Sequence, residues 1–503
     1  MSEPQTPRDG EPTETAGPAA ESTPSTPPAG GRRAARAEEP APTGRRAGGG
    51  GRRIDLLVGL AVALPAVVLA SVAVIGAEAD PVPSVRPPAG SELTDSTLVC
   101  PPPVAAGDAE VLALRVPEVA GGEVTVRSGR TELRRESTIE VPDQAPVEVP
   151  RASGVVTLEA QGEAAPGLVA GRREPSVAAP CRAPAYDEWF LGLGATARNG
   201  SVLTLVNPDD SNAVVDVTLI GPSGPIEEDA GRGVTIQGHQ VLRVDLAAEA
   251  PRRIDVAAHL SVSRGRVSMT VEHSWDPLGA GQPSTDTLPA QPRASAENLL
   301  LGVAPGGVQK YLYVANPGDD EVRATVRVMT AEAVFTPSDS DDVVVPPQSQ
   351  VRVPLRSLVS EKAEEGMIGL VVEGSGPLLS TVRSLVRGDL AAVGGAELLR
   401  APAAVVVPEG DARLVLGGAR RPGVVQVRAY DSRGTVLGED ARVEVAADRG
   451  ATLDLPEGTA ALTLVSGSTP VAASLVVTSN GGTAVVPVRP SGVRADVPSV
   501  APR

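Results

Sequence analysis

After residue 92 the chain is predicted to be all-β, a series of tandem antiparallel β-sandwich units behind a single N-terminal transmembrane helix. Three observations predict this. Short runs alternate apolar and polar residues, as in Val322, Ala324, Val326 and Val328 between Arg323, Thr325, Arg327 and Met329, and Gly, Pro and Asp turns cut them. No long segment of 3.6-residue period occurs after residue 80. And residues 56–77, LLVGLAVALPAVVLASVAVIGA, run 22 residues without a charge.

As a helix that run is roughly 33 Å long, enough to cross a bilayer core. Pro65 inside it is tolerated in a membrane helix. Arg32, Arg33, Arg36, Arg45, Arg46, Arg52 and Arg53 precede it, and Glu78 and Asp80 lie just beyond it. The positive-inside rule keeps such an N-terminus in the cytoplasm and exports the chain after Ala77. Ala77-Glu78-Ala79 is also an A-x-A triplet of the kind signal peptidase prefers. The apolar run exceeds a usual signal-peptide core of about 7–15 residues, which favours a retained anchor; cleavage after Ala79 would give a secreted protein.

Residues 1–53 are rich in Pro, Gly, Ser, Thr, Glu and Arg and nearly free of large apolar side chains, so a disordered cytoplasmic head is expected there. They hold eight Arg and seven acids, and Asp55 cancels the difference, so the whole net charge of −17 falls on the exported part. Such an acidic body repels nucleic acid and anionic membrane surfaces. Aromatics are 2% of the chain and His occurs only at 239, 259 and 273, which counts against a small-molecule or sugar-stacking pocket.

Cys100 and Cys181 are the only cysteines. An even count on the exported side suggests one disulfide. It would close a loop of about 82 residues, worth roughly 4–5 kcal/mol in the chain-entropy model.

An internal repeat organises the strands. LTLVNP at 203–208 returns as LYVANP at 312–317, placing Asn207-Pro208 and Asn316-Pro317 109 residues apart. Ten residues after each Asn comes Val217 or Val326, and thirty-seven after comes Val244 or Val353. A weaker copy starts at 414–418, with Gly417 in the Asn place and Val427 ten on. TLVCP at 97–101 suggests a further copy, with Cys100 where Asn207 stands. A period of 109 is too long for a propeller blade and suits one sandwich. Expected segments are a head (1–53), an anchor (54–77), a Pro-rich stalk (78–92), immunoglobulin-like units at 93–184 and 185–280, a linker (281–296), units at 297–392 and 393–487, and a loose tail (488–503). Pro ends each repeated strand, and the Asn before it bonds the turn backbone. The acidic pairs Asp209-Asp210 and Asp319-Asp320 should then sit at loop tips.

Candidate sites are few. The Asp pairs, and Asp339, Asp341 and Asp342, lack the ligand spacing of a calcium loop and read as solvated turn acids. Glu272-His273-Ser274-Trp275 mixes base, acid, hydroxyl and aromatic, and reads as a strand end with a core Trp and a capping His. Tyr186, Trp189 and Phe190 should plug the junction of the first two units. Arg387-Gly388-Asp389 spells an integrin-type tripeptide of a length that arises by chance. No catalytic, cofactor or metal residue is assigned.

The membrane run behind an Arg/Pro-rich head, TLVCP (97–101), Cys181 with YDEWFLG (186–192) after it, and LTLVNP together resemble an uncharacterised actinobacterial family, the DUF5719 proteins. The resemblance implies an anchored or secreted envelope protein and transfers no activity. The expected function is therefore a non-enzymatic single-pass envelope protein with a scaffold or adhesion ectodomain. Its partner would be an unidentified envelope protein or polymer, with no nucleic acid, cofactor or small-molecule substrate. The alternative is an accessory factor of envelope biosynthesis or export, acting through the cytoplasmic head.

Overall fold

The computed structural model describes residues 89–497 except 105–108, 144, 227–230, 304–305, 307, 339, 468 and 480–481. The head, the apolar run 56–77 and most of the stalk lie outside the described residues. Among the described residues no helix is long and apolar enough to cross a membrane.

The described chain is all-β, with every pairing antiparallel. Its sheets group as four two-layered sandwiches with one shared topology. In the second, the eight strands are Asp187–Gly194, Asn199–Val206, Ala213–Gly221, a split fourth at Gly224–Ile226 and Val234–Ile236, Val241–Asp245, Ile254–Arg264, Ser268–Trp275 and Ser284–Thr287. One sheet runs first–sixth–third–fourth and the other fifth–second–seventh–eighth. The first sandwich repeats this order from Asp95–Cys100 to Val177–Pro180 and the fourth from Ala403–Val406 to Thr483–Val488. In the third, one long strand, Met367–Val386, serves as sixth and then seventh, passing between the sheets. The immunoglobulin-like expectation is corrected in its connectivity. There the first strand pairs with the second; here it pairs with the sixth, because a short turn such as 195–198 carries the chain across to the other sheet.

Each sandwich has its own aliphatic core, and each also packs on a neighbour. The fifth–second–seventh–eighth sheet of one lies on the first–sixth–third–fourth sheet of the preceding one. Val206 and Val241 meet Val99, Leu133 and Val155 of the first sandwich. Tyr313, Ala315 and Leu379 meet Trp189, Leu191, Ile220 and Ala257 of the second. Val415 and Ala472 meet Leu299, Leu301, Met329 and Val371 of the third. Leu112, Leu114 and Val116 of the first meet Ala404, Val406 and Tyr430 of the fourth. A head-to-tail contact repeated with a rotation that closes makes a ring. The four eighth strands pack in turn around its centre: 177–180 on 284–287, then 389–394, then 483–488, then back to 177–180.

This arrangement explains the apolar runs of the second strands, LALR, LTLV, LYVA and LVLG. They are buried on both faces, one in their own core and one in a joint, so they lose the alternation of a half-exposed strand.

Three expected boundaries are corrected. Residues 281–296, expected as a linker, hold the eighth strand of the second sandwich and the start of the third sandwich's first strand, Ser295–Leu301. Ser284–Thr287 is wholly polar and carries no apolar alternation to read. Ala89–Glu92, expected within the stalk, pairs with Arg494–Val497, expected within the tail, so the two ends of the described chain form one ribbon.

Candidate functional site: the joints and the hub

The Asn-Pro turns are built alike. Asn207 and Asn316 are buried. Asn207 Nδ2 donates to the carbonyls of Ser211, Ile236 and Gln237 at 2.7, 3.0 and 3.1 Å, and its Oδ1 accepts from the Asp209 N–H. Asn316 makes the same set at the same offsets, to Asp320, Val345, Pro346 and the Gly318 N–H. Pro208 and Pro317 come directly after. The amide is a fastener between the end of the second strand and the turn before the fifth, with its bonding capacity used. Val116-Pro117 closes the second strand of the first sandwich at the corresponding place, so Cys100 does not stand where Asn207 does; it lies on a first strand.

The acidic pairs are not all loop-tip acids. Asp209 is half-buried and holds Arg266 at 2.9 Å, and Arg266 reaches Thr97 of the first sandwich, so this pair bridges a joint. The salt-bridged Asp209 lifts the Arg266 guanidinium above its ordinary pKa. Asp210 is exposed beside His239, and Asp319 takes a hydrogen bond from Gln348. Asp339 lies outside the described residues. Among the described residues no three His, Cys, Asp or Glu side chains gather as a metal site would need.

Cys100 and Cys181 form a disulfide between the first strand of the first sandwich and the linker that leaves it. The next residue, Arg182, pairs with Glu188, lies over the Phe190 ring and donates to the Met269 carbonyl of the second sandwich. The aromatic stretch divides its labour. Trp189 stacks on His259 at 4.0 Å in the joint of the second and third sandwiches, Phe190 belongs to the second core, and Tyr186 is exposed. The expected plug between the first two units is thereby corrected.

Gly192 ends that stretch at a bulge with φ +79°. A side chain there would press on the Tyr313 ring of the third sandwich at 3.2 Å. Its N–H donates to Gln350 Oε1 at 3.0 Å, and its carbonyl accepts from Arg383, both in the third sandwich. Arg383 also lies over Tyr313 and sits 2.7 Å from His273 Nε2. His273 Nδ1 lies 2.8 Å from Ser201 Oγ, which accepts the Gly194 N–H. His273 is therefore no exposed cap. It is fully buried, and burial with the Arg383 charge beside it holds its pKa well below 6.5.

A neutral ring that accepts from Arg383 at Nε2 must carry its proton on Nδ1 and donate to Ser201. The lone pair that would take a serine proton is occupied. The Ser–His pair orients the joint and does not activate a nucleophile.

At the hub stand two carboxyls. Asp286, opposite His273 in register, is fully buried. Its Oδ1 accepts the N–H groups of Ala178 in the first sandwich and Thr287, at 3.0 and 2.8 Å. Burial pushes its pKa up to about 8. Asp389, the acid of the RGD tripeptide, accepts from Ser284 Oγ at 2.6 Å and from the Thr483 N–H at 2.9 Å, with its pKa also raised by burial. It ties the second, third and fourth sandwiches and is not presented at the hairpin tip.

The linkers gather beyond the hub. Arg489, after the last strand of the fourth sandwich, pairs with Glu397 at 3.0 Å and donates to the Ala290 carbonyl. A cleft of about 450 Å³ opens there among the first, second and fourth sandwiches, lined by Arg182, Arg266 and Arg489 together with Val406 and Val486. Each of these three guanidiniums already holds a carboxylate. Of these residues sequence reasoning found the cysteines, both Asn and His273. Arg383 had a signal in the lone charge of LLSTVRSLV (378–386); Gly192 had one only as the end of the aromatic stretch; Asp286 in STDT had none.

The class defined by these features is a ring of β-sandwiches with buried polar residues bonded across several of its joints. A model for a family of unknown function, DUF5719, matches residues 140–456, and the chain belongs to that family. No curated relative and no solved structure matches it.

Proposed function

We propose that this is a non-enzymatic, single-pass cell-envelope protein of actinobacterial type, with the ring of sandwiches held outside the membrane as a scaffold or adhesion module. The observation that carries this reading is the orientation of the Ser201–His273–Arg383 chain. This hydroxyl–imidazole pair lies in a joint, with the imidazole lone pair engaged. Binding to a protein or cell-wall polymer would use loop tips and outer strands held on a stiff frame. The apolar run 56–77 with its upstream arginines supports anchoring, and the disulfide supports an oxidising compartment.

An impermeant maleimide applied to intact cells tests the topology. Cys100 and Cys181 are expected to label only after reduction and denaturation, without lysis; labelling that requires lysis overturns the external placement. Crosslinking in intact envelopes with a subsequent pull-down tests the role. Deleting residues 1–50 should spare attachment by an adhesion module. Loss of envelope assembly in that deletion would instead support an accessory factor working through the cytoplasmic head.

A further inference from the structure

The hub has a property independent of any partner of the ring. Asp286 sits on Ser284–Thr287, which packs on three elements. From Val177–Pro180 of the first sandwich comes the Ala178 N–H, and that strand has no titratable side chain. Thr287, next to Asp286, donates its hydroxyl back to the Ala178 carbonyl. From Asp389–Gly394 of the third sandwich comes Asp389, a like charge. From Ser268–Trp275 comes His273 in direct register, kept neutral and engaged by Arg383; Glu272 on that strand pairs with Arg243 instead. No cation contacts the Asp286 carboxyl among the described residues. Beside it lies a cavity of about 30 Å³ touching Ala178, Thr287 and Ala392, room for a water molecule.

We infer that Asp286 is a protonation-dependent latch: its neutral carboxyl holds the first, second and third sandwiches together at the hub, and its ionisation loosens them. Ionised, the group has the backbone N–H groups of Ala178, Thr287 and Ala392 beside it but no counter-charge, and faces a second carboxylate. A buried charge so placed is relieved by drawing in water, and the adjoining cavity is where it enters. Proton linkage fixes the sign. The folded state binds the proton more tightly than the unfolded state, whose carboxyl titrates near 3.8. Stability from this group is thus full below about pH 4, declines as pH rises, and is lost once pH passes the folded value of about 8.

The test is amide hydrogen exchange on the full-length chain in detergent micelles, corrected for the intrinsic pH dependence of exchange. Between about pH 6 and pH 9.5, protection of the Ala178 and Thr287 amides should fall by about tenfold or more, while amides of the fourth sandwich's outer sheet change little. In Asp286→Asn the fall should vanish; in Asp389→Asn it should persist. No fall in the wild type, an equal fall in Asp286→Asn, or its loss only in Asp389→Asn overturns the latch. Should Asp286→Asn fail to fold, infrared spectroscopy of Asp389→Asn still decides, since that variant removes the other carboxyl among the described residues whose pKa burial raises. A protonated-carboxyl band present near pH 6 and lost above about pH 9 supports the latch, and its absence near pH 6 overturns it.

Discussion

The second and third sandwiches fasten the end of their second strand with a buried Asn; the first has Val116 there and the fourth has Gly418. The pairing with the seventh strand puts Gly417 level with Val206 and Ala315, one residue short of the place the repeat spacing assigns it. All four nonetheless share one strand order and one core register. Val126, Val217, Val326 and Val427 stand on the third strands, opposite Leu158, Leu260, Val372 and Leu464 of the sixth. The difference teaches that the fold is carried by this apolar register and the Asn is a local device. Where it is missing, something else occupies the space. Val116 packs into the joint with the fourth sandwich, and a Cβ on Gly418 would fall 2.5 Å from Leu299 Cδ1 of the third.

The sharpest way to break the comparison is to charge the register. Val126, Val326 and Val427 are buried, and Asp at any of them should cost about 4–5 kcal/mol or unfold its sandwich. Val217 is half-buried at the mouth of a small cavity in the second core, so Val217→Asp should cost distinctly less in denaturant titrations. Equal costs at all four would mean that the second core closes further in solution.

Reducing Cys100–Cys181 should come next, at roughly 4–5 kcal/mol in the chain-entropy model. Exchange should rise mainly in the first sandwich and at its joint with the second, because Arg182 is bonded directly to Cys181. A loss spread evenly over the ring would show that the four sandwiches unfold as one.

Asn316→Ala and Asn207→Ala each strand buried carbonyls and should cost about 2–3 kcal/mol. Gly418→Asn should not transplant the fastener; its side chain meets Leu299 of the third sandwich, so it should destabilise that joint, read as a lower Tm. A gain would show that the joint can yield.

A smaller effect separates the two buried titrating groups. His273 is held neutral in the fold, so the unfolded state takes up the proton first, and its contribution is lost as pH falls through about 6.5. In Asp286→Asn, stability should therefore rise with pH to about 6.5 and then level off. The smallest effects belong to the exposed face. Asp216→Asn and Thr325→Ser, a turn-bonding acid and an edge hydroxyl, should stay within about 0.5 kcal/mol, and EDTA should leave Tm unchanged. A large EDTA effect would make Asp319 and Asp320 the first ligands to mutate.

Much of this molecule is local, and local features are legible in sequence. Alternation over Val322–Thr330 fixes a strand, Asn-Pro marks where a strand must end, and a 109-residue recurrence marks like units. The two cysteines had no other partners within the chain. Tertiary structure alone decided that the sandwiches close on one another. The joints are made by residues hundreds of positions apart, such as Val116 against Val406, and no short-range period encodes that pairing. It also decided what the polar residues do. An Arg in a strand, a Gly after an aromatic stretch and an Asp among hydroxyls acquire their roles from the neighbours that burial brings: Arg383 from His273, Gly192 from Tyr313 and Asp286 from Ala178. Sequence sets which residues can leave water in pairs along a strand, because that depends on spacing. Which buried group faces which depends on how whole sheets pack, and that is settled only when the ring closes.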